Sequence, residues 1–249
     1  MFQVWYRNFK VWLKHIRASL IGNLGQPFLF LLAMGYGLGR SVPEIEGLPY
    51  LEFIAPGLVA SAVMYSAAFE ATYGSYTRLS TQGTFEAILM TPISINELAL
   101  GEIIWGATKG LIAGVIMLVT LPLFGVFPSW WAIFMIPLLF LEGIIFSSFG
   151  LIMTAIATNY DFFNYFTSLI ITPFFLFSGI FFSLKAIASP IREFLEVLPL
   201  TNVVILSRKL CYGTIYPLDK TFFEVLMTFF FTVFFTVIAI FLLRRRMIK

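Results

Sequence analysis

Cysteine, histidine and charge are scarce in this 249-residue chain. Its one cysteine, Cys211, has no partner within the chain, so a disulfide framework is excluded. Its one histidine, His15, cannot assemble a zinc site with other His or Cys ligands. Only 12% of the residues are charged, where a soluble domain carries about a quarter. A phosphate-binding loop is lacking as well. The string GEIIWGATK places Gly101 and Gly106 at the spacing of G-x-x-x-x-G-K-[ST], but Ala107 stands where a lysine must reach the phosphates. The string MGYGLG lacks the GxGxxG order, and no strand precedes it. No acid cluster or Cys/His pair supports an enzyme acting on lipid.

What is present is apolar: 59% of the residues are hydrophobic, and the mean hydropathy is +0.92. Several continuous runs of roughly 20 apolar residues can each cross a hydrocarbon core about 30 Å thick. They do not alternate as barrel strands do. The fold class is therefore all-α and polytopic, with about six spans expected near 21–39, 51–73, 103–124, 130–157, 162–182 and 222–243. Gly106, Gly110 and Gly114 fall four apart, a small-residue stripe that permits close helix packing, and Gly35 and Gly39 repeat the spacing.

Residues 1–20 read as an amphipathic interfacial helix. Phe2, Trp5, Phe9, Trp12, Leu13 and Ile16 recur on one face, and Arg7, Lys10, Lys14 and Arg17 on another. A signal peptide fits less well, because the basic stretch is long and rich in aromatics.

The segment 77–102 is the largest polar loop. Thr91–Pro92 breaks any helix before it. Ser94 and Glu97 form a capping box that starts the next helix. Before the break, Thr84 is a candidate cap, with Phe85, Ile88 and Leu89 on one face. An ordinary helical connector can carry the same caps. The segment 183–220 is too polar to span and too apolar for a wet loop, which fits short re-entrant helices, the first opened at Ser189–Pro190 and ended at Leu198–Pro199. Both termini are basic, so the positive-inside bias places both in the cytoplasm, together with the 77–102 loop, and puts 183–220 outside.

The strings SLIGNLGQPF, FEAILMTPISINELALGEIIWGATKG, TAIATNYDFFNYF and ITPFFLFSGIFF, with LPLTNVVILSR and Gly213, carry a resemblance over almost the full length. The chain resembles the ABC exporter permeases of the second type, most of all the group that exports lipo-oligosaccharide nodulation factors. The resemblance implies a half-transporter in a bacterial cytoplasmic membrane. It would pair with a second copy and with two copies of a separate ATPase. That partner would bind ATP and magnesium; this chain would bind no cofactor or metal. Membrane lipids are further partners, and nucleic acid is not. The loop would supply a coupling helix at Gly83, Thr84, Phe85, Glu86, Ile88 and Leu89, with the phenylalanine, isoleucine and leucine as anchors. Arg7, Lys10, Lys14 and Arg17 would face the ATPase and anionic headgroups.

Charges inside membrane helices are costly and call for a reason. Glu70, Glu102 and Lys109 sit near the cytoplasmic ends, where pairing or snorkelling suffices, and Glu224 is near an outer end. Glu142 is close to the middle of the fourth span. With Glu70 it is a candidate pathway or intramembrane polar residue, through either a structural bond or contact with substrate or protons. The favoured function is ATP-driven export of a lipid-linked or lipo-oligosaccharide. A drug or small-lipid exporter uses the same scaffold, and a proton-coupled carrier is the rival of another class, although no inverted repeat supports it.

Overall fold

The computed structural model describes residues 1–16, 25, 27–42, 44–214 and 217–248. Arg17 and the beginning of the expected first span lie outside the described residues. The long elements are helices: α1 (Phe2–Leu13), α2 (Pro27–Gly37), α3 (Tyr50–Thr81), α4 (Thr84–Leu89) and α5 (Ile95–Phe124). After them come α6 (Trp130–Ile156), α7 (Phe162–Phe177), α8 (Ser189–Val197), α9 (Pro199–Tyr212) and α10 (Leu218–Met247). A two-stranded antiparallel hairpin, Glu44–Ile45 against Leu48–Pro49, turns the chain into α3. Four helices, α3, α5, α6 and α10, are long and apolar enough to cross a membrane, and α2 and α7 are apolar but shorter. The protein is an all-α membrane protein.

α3 is the most buried of the four long helices, and small residues let its neighbours approach it closely. The glycine stripe of α5 lies against it: a Cβ on Gly110 would sit 3.0 Å from the Val63 carbonyl and 3.1 Å from the Ala67 Cβ. Gly143 of α6 lies as tightly on α5, since a Cβ there would be 2.8 Å from the Ala107 Cα. These contacts are with backbone, so a larger residue must push helices apart. Gly35 of α2 meets α3 differently, against the Leu51 side chain.

Pro56 lies inside α3 and removes the hydrogen bond that the Glu52 carbonyl would accept. The Tyr212 hydroxyl of α9 donates to that carbonyl instead, at 2.7 Å. Arg208 donates to the Phe53 carbonyl at 3.1 Å and to the Gly179 carbonyl at 2.9 Å, and its guanidinium stacks on the Phe53 ring. The arginine that follows Leu198–Pro199 thus ties α9 to two irregular points, the Pro56 region of α3 and the Gly179 turn, and burial pulls its pKa down to about 10. α7 stops at Phe177, short of 182, because Gly179 turns the chain in a left-handed conformation at φ 72°.

α3 extends further than its apolar run. Residues 77–81, expected in the loop, form its last turns, where Thr77 and Ser80 return their hydroxyls to the Tyr73 and Tyr76 carbonyls. What separates α3 from α5 is therefore 82–94, with α4 inside it. The expected capping box is formed: Ser94 Oγ accepts from the Glu97 amide, and the Glu97 carboxylate accepts from the Ser94 amide.

Candidate functional site

One end of the bundle gathers α1, α4, the start of α5, the 157–161 turn and the end of α10. α4 starts from Gly83, whose φ of 60° favours a residue without a Cβ. Thr84 does not cap the helix; its hydroxyl donates to the Gln82 side chain. Phe85 points inward and is fully buried among Val4, Leu98 and Ile103. This placement revises the expected grip. Phe85 fastens the short helix to the bundle, while Glu86, Ala87 and Met90 are exposed and Ile88 and Leu89 half-buried.

α1 does not turn its whole aromatic face to lipid. Val4, Asn8 and Trp12 form its buried stripe against α5. Val4 fits where Gly101 lacks a Cβ, Trp5 Nε1 donates to Thr108 Oγ1 at 3.0 Å, and Phe9 and Trp12 meet Trp105 edge to face. Lys10 and Lys14 remain exposed.

Between α1, α3 and α5 lies a chain of charges. Arg78 Nη1 donates to Glu70 Oε1 at 2.9 Å, and Arg78 Nη2 to Glu102 Oε2 at 2.7 Å. Lys109 Nζ reaches Glu70 Oε2 at 2.7 Å, and Trp105 Nε1 donates to Glu70 Oε1 at 2.8 Å. Glu102 also accepts from Ser75 Oγ and from Asn8 Nδ2. Asn8 in turn accepts from Arg7 Nη1 at 2.8 Å, and Arg7 Nη2 donates to Thr84 Oγ1 at 3.4 Å. Burial, and then the nearby Arg78 guanidinium, pull the pKa of Arg7 below its ordinary value. A continuous polar line thus runs from Thr84 on α4 through α1 to Lys109, two turns up α5 from Glu102. A cavity of about 250 Å³ beside it is lined by Arg7, Asn8, Trp12, Glu70, Arg78 and Trp105.

The sequence reading found both carboxylates but missed Arg78 and Asn8. Arg78 was hidden in a hydroxyl-rich stretch, and its usable signal was a lone base between two intramembrane acids. Asn8 broke the apolar stripe of an otherwise regular amphipathic helix, which marks a buried hydrogen-bonding site. Glu142 joins none of this. It is fully buried in α6, and both its carboxylate oxygens lack a hydrogen-bond partner among the described residues. Among the described residues no cluster of His, Cys, Asp and Glu suits a metal ion. The network joins α1, α3 and α5, and the Arg7–Thr84 bond connects it to α4.

Residues 1–212 match the ABC-2 type transporter family. The chain is 36% identical over 206 residues to nodulation protein J of Sinorhizobium fredii, covering 82% of this chain and 78% of that one. It is 34% identical over 246 residues to nodulation protein J of Neorhizobium galegae, covering 98% and 92%. A more distant relative, the inner membrane transport permease YadH of Escherichia coli, is 24% identical over 181 residues, covering 72% and 68%. No solved structure matches.

Proposed function

Because this chain belongs to the ABC-2 type transporter family, we propose that it is the membrane half of an ATP-driven exporter in a bacterial inner membrane. Its substrate is an amphipathic lipid-linked or lipo-oligosaccharide, a reading supported by the two nodulation protein J relatives. Two copies pair, and two copies of a separate ATPase bind beneath them and hold the ATP and magnesium. α2 and α7 complete six spans, both termini are cytoplasmic, and 183–220 lies outside. The YadH likeness favours a second, weaker reading: the same scaffold moving another small lipid or drug.

The observation that carries the proposal is the design of α4. It is six residues long, hangs between two breaks, and is pinned at Phe85 while showing Glu86 and Met90 outward. Docked into the ATPase, it would move when the two ATPase subunits close, and Arg7 and Asn8 would carry the movement to Arg78. Glu86→Lys with Met90→Asp reverses the chemistry of the exposed grip without touching Phe85. Export and co-purification of the ATPase should both be lost while the chain still reaches the membrane; normal export would overturn the assignment.

A further inference from the structure

The opposite end of the bundle contains a second, larger cavity. Its volume is about 910 Å³, and it lies between the 44–49 hairpin, α9 and the start of α10. Binding cavities for ligands of drug size run from about 300 to 1,000 Å³. Four acidic and four basic side chains line it, so the cavity as a whole is balanced in charge. Most of these charges are already satisfied within the protein. Lys209 Nζ donates to both Glu224 oxygens, at 2.9 and 2.7 Å, and to Thr221 Oγ1 at 3.0 Å, which uses all three of its hydrogens. Lys185 pairs with Glu46 at 2.8 Å, and Arg208 is spent on two carbonyls.

Asp219 and Lys220 add one exposed charge of each sign at the rim, so the site has no net surplus of cation for a phosphate or of carboxylate for an amine. What it offers is carboxylate lone pairs held in place, which suit hydroxyl groups. Its wall continues into a greasy surface. Phe223 lines the cavity, and Leu226, Phe230 and Val233 follow it at helical spacing down the exposed face of α10. A polar pocket opening onto an apolar stripe fits a molecule with a polar head and a hydrocarbon tail.

We propose that this cavity binds the uncharged, polyhydroxylated head group of a lipid whose acyl chain lies along α10. The inference rests on the exporter reading above and assigns to that function a lateral site at the outer leaflet, within a single copy of the chain. Glu224 accepts a hydroxyl, Lys209 fixes the orientation of that carboxylate, and Phe223 meets the junction of head and tail.

The test uses the purified full chain in phosphatidylcholine nanodiscs, without ATP or partner. Three photoactivatable probes share one twelve-carbon diazirine chain and differ in the head: maltoside, phosphate or bare hydroxyl. The maltoside should label α9 and the start of α10, and plain dodecyl maltoside should compete. Lys209→Met with Glu224→Gln should lower that labelling about fivefold or more, as expected when hydrogen bonds to a fixed charge pair are lost. If the double variant fails to reach the membrane, Asp219→Asn with Lys220→Gln at the exposed rim should still lower it. Equal labelling by the bare alcohol would overturn head-group recognition, and stronger labelling by the phosphate would overturn the uncharged class. Failure of these arms with α4-dependent ATPase binding intact would remove the cavity site alone; loss of α4-dependent binding with maltoside labelling intact would remove the exporter reading alone.

Discussion

The two ends of this bundle handle charge in opposite ways. Around α4 the ions are pooled: Arg78 serves two carboxylates on two helices, and its side chain is 12% exposed while that of Glu102 is fully buried. Around the hairpin the ions are paired two by two about an open cavity, and the Lys185 side chain facing Glu46 is 76% exposed. A pooled network makes three helices answer to one another, because removing a charged member strands its partners. A ring of separate pairs, of which Lys209–Glu224 is about as buried as the network and Lys185–Glu46 is open, couples little and leaves room for a guest. The first arrangement suits transmission and the second suits binding.

The sharpest way to break this contrast is Arg78→Met. It strands Glu70 and Glu102, and loss of one partner of a buried pair costs about 3–5 kcal/mol. Thermal unfolding in detergent should show a large fall, partly restored when Glu70→Gln and Glu102→Gln are added. An unchanged midpoint would mean that the network is not closed. At the other end, Lys209→Met should cost less, about 1–2 kcal/mol, since it strands one carboxylate where Arg78→Met strands two. If it cost as much as Arg78→Met, the two ends would not differ in kind. Lys185→Ala should cost about 0–1 kcal/mol, the usual worth of an exposed pair.

Cys211 sharpens the comparison through pH. Burial raises its thiol pKa from 9.0 to about 11, so native protein at pH 8 holds roughly a hundredth of the thiolate of a free cysteine. Alkylation should therefore be slow and should accelerate up to about pH 11. The same shift favours the protonated folded form, so its contribution to stability falls as pH rises from about 9 to about 11. Fast labelling at neutral pH would show that the hairpin end opens further than its packing indicates.

Much of the fold was legible because a membrane chain writes its helices as apolar runs and its breaks as prolines and glycines. The helix breaks at Thr91–Pro92 and Leu198–Pro199, the capping box at Ser94 and the stripe at Gly106, Gly110 and Gly114 are local signals, and each has its place in the structure. Burial was less legible. α3 has the lowest mean hydropathy of the four long helices, 1.4, and is the most buried, whereas α10 has the highest, 2.6, and is the least. Against lipid the apolar residues face outward, and the small and polar ones hold the interior. For the same reason the candidate site was half visible. Glu70 and Glu102 stood out as expensive charges, but Arg78 shares no local motif with either, and only tertiary packing brings the three together. The inward turn of Phe85 was hidden too, since helical spacing shows which residues share a face and not which neighbour that face meets.

The central claim is that α4 is the surface covered by the ATPase. Met90, 89% exposed at the end of that helix, provides the most direct measurement. Met90→Cys should react quickly with a thiol reagent in the purified chain, against a low background from buried Cys211. In membrane vesicles that hold the assembled transporter it should be protected, and protection should vanish when the ATPase is stripped away. Equal labelling with and without the ATPase would contradict the claim.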